Sequence, residues 1–109
     1  MNDLVSKPCS PQHGTALSGK AAEEFLKRLA GWTMNVEAKE LRKIFAFEDY
    51  YAVMAFVNAV AWIAHREDHH PDLTVGYDKV TVVFATHSVD GLSENDFICA
   101  AKVDALGAA

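Results

Sequence analysis

At 109 residues, half of them hydrophobic, the chain has enough material for one domain with its own core and too little for two. A formal net charge of -5 with no basic stripe excludes nucleic acid as a direct partner. Two cysteines, Cys9 and Cys99, lie in different regions and form no CxxC pair, which excludes a disulfide-built scaffold.

Residues 1–17 contain Pro8, Pro11 and Gly14 and no apolar period, which predicts a flexible N-terminal arm ahead of a single domain over 18–109. The arm lacks the apolar stretch of a signal peptide, so the expected compartment is the cytoplasm. Cys9 and His13 stand at CxxxH spacing, but no second ligand pair is near them and no metal is expected there. Ser18 is a good N-cap, Glu23 and Glu24 sit near the positive end, and Ala22, Phe25, Leu26 and Leu29 form one apolar stripe. Together they predict a helix ending near Gly31. Residues 32–36 alternate apolar and polar, 37–39 can turn, and 40–47 carry β-prone Ile44, Phe45 and Phe47. These runs read as a hairpin.

Residues 49–68 hold no Gly or Pro and many alanines, and predict the longest helix. Tyr50, Val53, Met54, Val57, Ala61 and Ala64 form one apolar stripe; Ala52, Phe56, Ala59 and Ile63 form another. A helix apolar on two sides is buried on two sides. In so small a domain the second side is expected to meet another copy, as a homodimer or homotetramer. The apolar run is interrupted by Asn58 and too short for a bilayer, so no membrane partner is expected. Pro71 closes the helical region. A short strand over 73–77, a tight turn at Asp78-Lys79 and a strand over 80–85 follow, with Val80, Val82 and Phe84 alternating against Thr81, Val83 and Ala85. Gly91 breaks that pattern, and Ser93-Glu94-Asn95-Asp96 resembles a capping box opening a helix that runs through Leu106. Two hairpins separated by a helix, in the order α-β-β-α-β-β-α, predict an α+β domain whose antiparallel sheet is covered by helices on one face.

The most unusual segment is His65-Arg66-Glu67-Asp68-His69-His70-Pro71, where the long helix ends. Imidazoles exchange protons near neutrality, and a carboxylate beside them, such as Asp68, can hold a tautomer. His87 ends the strong strand, which returns antiparallel after its turn, so it can lie close to His69 and His70. Histidines at a helix end also serve simply as caps on carbonyls. His65 and His69 share a helix face, and Glu67 or His87 could complete a metal set. The glutamate of the HExxH zinc helix is missing from its place, however, and no metal is expected. There is no Gly-rich phosphate loop.

These residues resemble the pterin-4a-carbinolamine dehydratase family. The resemblance is carried by His69-His70-Pro71, Tyr77, His87 and Asp96 at near-fixed spacings. Gly31-Trp32, Lys79-Val80, Thr86-His87 and Gly91-Leu92-Ser93 flank them, and the likeness covers Ser18 to the C-terminus. It implies a four-stranded antiparallel sheet, assembly into dimers and tetramers, and dehydration of 4a-hydroxytetrahydrobiopterin to quinonoid dihydropterin and water. The pterin is then the substrate, no cofactor is required, and the functional link is to an aromatic amino-acid hydroxylase. By the same resemblance His69, His70 and His87 are the catalytic residues, and Asp68, Thr86, Trp32 and Asp96 contact or line the pterin site. Asp68 is the residue expected to orient an imidazole. Trp32 is equally placed to be core at a strand start, and the capping box alone accounts for Asp96. Some members have glutamate in place of His65, glutamate in place of Ser88 and tryptophan in place of Leu73.

The competing expectation is a non-catalytic binding and dimerisation module, because some relatives act as dimerisation cofactors of a homeodomain transcription factor. Such a role uses the apolar helix surface and no histidine chemistry.

Overall fold

Helices and strands follow the predicted α-β-β-α-β-β-α order in the computed structural model, which describes residues 3–107. Helix α1 spans Gly19–Leu26, and the Ser18 hydroxyl accepts the Ala21 N–H at 3.1 Å as its N-cap. It stops short of Gly31 because the next turn tightens, with Arg28 N–H bonding Phe25 O and Leu29 N–H bonding Leu26 O. Strands β1 (Thr33–Met34) and β2 (Leu41–Ala46) form the first hairpin. β1 is shorter than its alternation predicts because Asn35 already belongs to the turn: its N–H donates to Glu40 O at 3.2 Å, and its side-chain oxygen accepts Lys39 N–H at 2.8 Å and Glu40 N–H at 3.1 Å.

Helix α2 spans Tyr50–Glu67 and is capped by Asp49, whose carboxylate accepts Ala52 N–H at 2.9 Å. Strands β3 (Asp72–Val75) and β4 (Lys79–Phe84) form the second hairpin, and helix α3 spans Glu94–Asp104. The sheet order is β1-β2-β4-β3, antiparallel throughout. The central β2–β4 pairing is long-range, with Phe45 opposite Val80 and Leu41 opposite Phe84. Val80, Val82 and Phe84 are fully buried, whereas Thr81 and Val83 on the opposite face are only partly covered, so the helices lie on one face. Each such buried apolar side chain contributes roughly 1.5–3 kcal/mol relative to exposure.

The inward side of α2 combines the two expected stripes differently. Val53 and Val60 are its fully buried residues, with Phe56 and Ile63 packed beside them, while Tyr51 and Trp62 face outward at 81% and 60% exposure. Among the described residues, no helix is long and apolar enough to cross a membrane.

The segment expected as a flexible arm lies against α3. Leu4 is buried in the core, Lys102 Nζ donates to Val5 O at 2.7 Å, and Lys7 pairs with Glu94. Ser10 and Asn95 exchange two hydrogen bonds, at 3.1 and 2.7 Å, and Leu17 N–H donates to Leu92 O at 2.8 Å. Covered by the sheet on one side and by this segment on the other, α3 is buried from Asn95 to Ala101. A Cβ on the buried Gly91 would lie 2.8 Å from the Ala16 Cβ. We therefore expect Gly91→Ala to destabilise the fold by about 1–3 kcal/mol through overpacking, read as a lower urea midpoint.

Candidate active site

Asp68 ends α2 in the left-handed conformation, with φ of 52°. Its N–H and that of His69 both bond to Ala64 O, which turns the chain sharply off the helix. That turn carries His69 back towards α3. Its ring stacks on Phe84, centroids 5.9 Å apart and planes within 10°, and its Nε2 lies 2.6 Å from Asp96 Oδ1.

Asp96 is fully buried and has three partners. Besides His69, its Oδ2 accepts the Thr86 hydroxyl at 2.7 Å and the Ser93 backbone N–H at 2.9 Å. The second of these is the carboxylate half of the capping box. A hydroxyl has one proton to give. Because Thr86 donates to the carboxylate, its 2.7 Å contact with Ser93 is a bond accepted from the Ser93 hydroxyl. The carboxylate thereby holds the Nε2–H tautomer of His69. His69 Nδ1 has no hydrogen-bond partner among the described residues, and no described side-chain nitrogen or oxygen is both buried and unpaired, so Nδ1 reaches solvent.

The expected site residues fall into two groups. The β3–β4 register pairs Asp72 with Val83, and continued outward it brings His69 and His70 alongside Ala85 and Thr86. His87 is the residue after Thr86, so it stands one position from the hydroxyl that shares Asp96 with His69. It is exposed, opens a 3-10 turn over His87–Val89, and makes no side-chain hydrogen bond among the described residues. His70 is exposed, with Nδ1 3.3 Å from Pro71 O. Trp32 is not brought to this place. It is 5% exposed in the core between Phe45 and Phe84, and its indole N–H donates to Asp104 at 2.9 Å. The carboxylate on the imidazole is Asp96 rather than Asp68, because the left-handed cap leaves Asp68 exposed and without a side-chain hydrogen bond among the described residues.

Two clefts open on either side of His69. One, of about 360 Å³, is lined by His65, Asp68, His69, His70 and Leu73. The other, of about 490 Å³, is lined by Asp68, His69, Thr86, Ser88 and the N-terminal residues from Cys9 to His13. Both volumes suit a small organic molecule. The N-terminal wall was missed from the sequence, where the CxxxH spacing was its sole signal. Chemically the site offers one imidazole with an assigned tautomer and the exposed His70 in the same cleft, a set suited to proton transfer, whereas His87, next in sequence to Thr86, lines neither cleft.

A family model described as Pterin 4 alpha carbinolamine dehydratase matches residues 15–106. A Nitrosospira multiformis protein provisionally named a pterin-4-alpha-carbinolamine dehydratase is 55% identical over 108 residues, covering 97% of this chain and 94% of its own. A Stenotrophomonas maltophilia protein of the same provisional name is 54% identical over 105 residues, covering 94% and 90%. The crystal structure of a transcriptional coactivator/pterin dehydratase from Brucella melitensis superposes with a TM-score of 0.80 at 32% identity, covering 84% of this chain and 98% of that one. A pterin dehydratase-like protein described as a RuBisCO assembly factor in the alpha-carboxysome superposes at 0.62 and 28% identity, covering 72% and 92%.

Proposed function

The chain belongs to the pterin 4 alpha carbinolamine dehydratase family, and we propose that it dehydrates 4a-hydroxytetrahydrobiopterin, or a close pterin analogue, to quinonoid dihydropterin and water. The observation that carries this reading is the His69–Asp96–Thr86 chain, which commits Nε2 of His69 and leaves Nδ1 without a hydrogen bond among the described residues, on a side chain that lines two clefts. Expelling the 4a-hydroxyl requires a proton on the departing oxygen and removal of one from a ring nitrogen. Two imidazoles, one held by Asp96 and one exposed, can serve both transfers, and the reaction as proposed needs no cofactor. His69 and His87 perform the acid–base work, and His70 positions the pterin. Asp68, exposed at the lip of both clefts, contacts the ring system; Thr86 and Asp96 act through His69. The reaction is cytoplasmic and recycles the pterin of an aromatic amino-acid hydroxylase. The outward aromatic residues of α2, Tyr51 and Trp62, support assembly of copies into a dimer or tetramer.

The same exposed face favours a second reading, a non-catalytic binding module, in line with the coactivator name of the Brucella neighbour. The decay of enzymatically generated 4a-hydroxytetrahydropterin, followed by ultraviolet absorbance, separates the two. The dehydratase accelerates that decay. A folded chain that leaves it unchanged is not a dehydratase for this substrate, and the binding module becomes the better reading.

A further inference from the structure

Cys9 Sγ lies 3.5 Å from Cys99 Sγ, although the two residues are at opposite ends of the sequence and both are free thiols. The contact belongs to a built arrangement. Cys9 N–H donates to the Glu67 carboxylate at 2.9 Å, and Ser10 is bonded twice to Asn95. Cys99, fully buried in α3, also points its sulfur at His69 O, 4.0 Å away. The half-buried Cys9 lines the larger cleft beside His69, so a soluble reagent reaches it from there.

We propose that Cys9 and Cys99 form a reversible disulfide that fastens the N-terminal segment across the cleft containing His69. A disulfide bond is about 2.05 Å long, so the sulfurs must approach by about 1.5 Å. Cys9 lies in a stretch without helix or strand, held by the Cys9–Glu67 and Ser10–Asn95 bonds and by no ladder, so the approach falls to rotation of the two side chains and a small shift of this segment. The oxidant is a small-molecule disulfide. The Cys9 thiolate attacks one of its sulfurs, forming a mixed disulfide and expelling one thiol. Cys99 then attacks the Cys9 sulfur, loses its proton to solvent and expels the second thiol. Two protein thiols are oxidised and one external disulfide is reduced to two thiols.

The order follows from the surroundings. Cys9 is half-buried and lines the cleft, whereas Cys99 is fully buried with its thiol pushed well above the usual range by the hydrogen bond to Cys9 and then by burial, so the reagent meets Cys9 first. Cys99 is the resolving thiol because its sulfur already lies 3.5 Å from the Cys9 sulfur. Cytosolic disulfides of this transient kind are redox-responsive rather than structural. The thiol chemistry is independent of the reaction proposed above.

The test titrates the full chain with glutathione disulfide and reads intact mass, a non-reducing peptide map and amide hydrogen exchange. The expected product is a monomeric chain two hydrogens lighter, linked 9 to 99, with slower exchange over 8–13 and a melting temperature raised by about 10 °C or more. Cys99→Ala is expected to stop at a single glutathione adduct on Cys9. Cys9→Ser, a change at a half-buried position that leaves α3 intact, is expected to stay unmodified. A wild type that stops at the Cys9 adduct, stays dithiol or links two chains through Cys9 overturns the proposal. So does an intramolecular disulfide that leaves exchange over 8–13 unchanged.

Discussion

Replacing His69 with glutamine is expected to lower kcat/KM for carbinolamine dehydration by about 10²–10⁴-fold while changing stability by no more than about 1 kcal/mol. Glutamine is the informative substitution because its amide nitrogen can take the place of imidazole Nε2 and keep the 2.6 Å bond to Asp96 Oδ1. What it removes is the ring and with it the second nitrogen, Nδ1. Alanine would in addition leave a buried carboxylate oxygen without its partner, so lost activity and lost fold would be confounded. His87→Ala is the complementary measurement. That side chain is exposed and unpaired among the described residues, so stability should stay within about 0.5 kcal/mol of wild type, while the rate falls if His87 supplies the second proton transfer. Stopped-flow absorbance gives the rates and urea unfolding gives the stabilities. A His69→Gln protein within threefold or so of the wild-type rate would remove proton transfer from the role of His69.

The features legible in the sequence were those that local chemistry dictates. Ser18 and Ser93 cap helices at the places their side-chain chemistry predicts, and each helix begins beside them. The alternation of Val80, Val82 and Phe84 revealed which face of β4 is buried. The features that stayed hidden depend on distant partners. Nothing local says that β2 pairs with β4 or that Val60 faces inward, because both follow from how α2 crosses the finished sheet. The segment over 3–17 has no period of its own. Its placement comes from single contacts made to α3, such as Leu4 in the core and Ser10 on Asn95, and composition does not encode such contacts. Asp96 is the instructive case at the site. Its capping role was readable from Ser93-x-x-Asp96, and that same local bond aims its second oxygen at His69, which only the fold brings within reach.

Asp96 is accordingly the position where the largest loss of stability is expected. Asp96→Ala removes a fully buried carboxylate from three donors at once: the His69 imidazole, the Thr86 hydroxyl and the Ser93 N–H. Each donor left unsatisfied in the interior costs about 1–3 kcal/mol, and loss of the helix cap alone costs about 0.5–2 kcal/mol. A destabilisation of about 3–5 kcal/mol is expected, a large share of the roughly 5–15 kcal/mol typical of a domain. Chemical denaturation of the two proteins side by side measures it. Asp96→Asn isolates the orienting role. Its amide oxygen can still accept from Thr86 and Ser93, which leaves the NH2 group facing His69 Nε2. Two donors cannot share that contact, so the imidazole must present Nε2 as the acceptor and carry its proton on Nδ1, the nitrogen left free in the wild type. The asparagine variant should therefore be more stable than the alanine variant and still lose about 10²–10⁴-fold in rate. Nitrogen-15 chemical shifts of the His69 ring should report the reversed tautomer. Wild-type activity in a folded Asp96→Asn protein would show that the carboxylate serves α3 and its cap alone, and that His69 needs no partner to work.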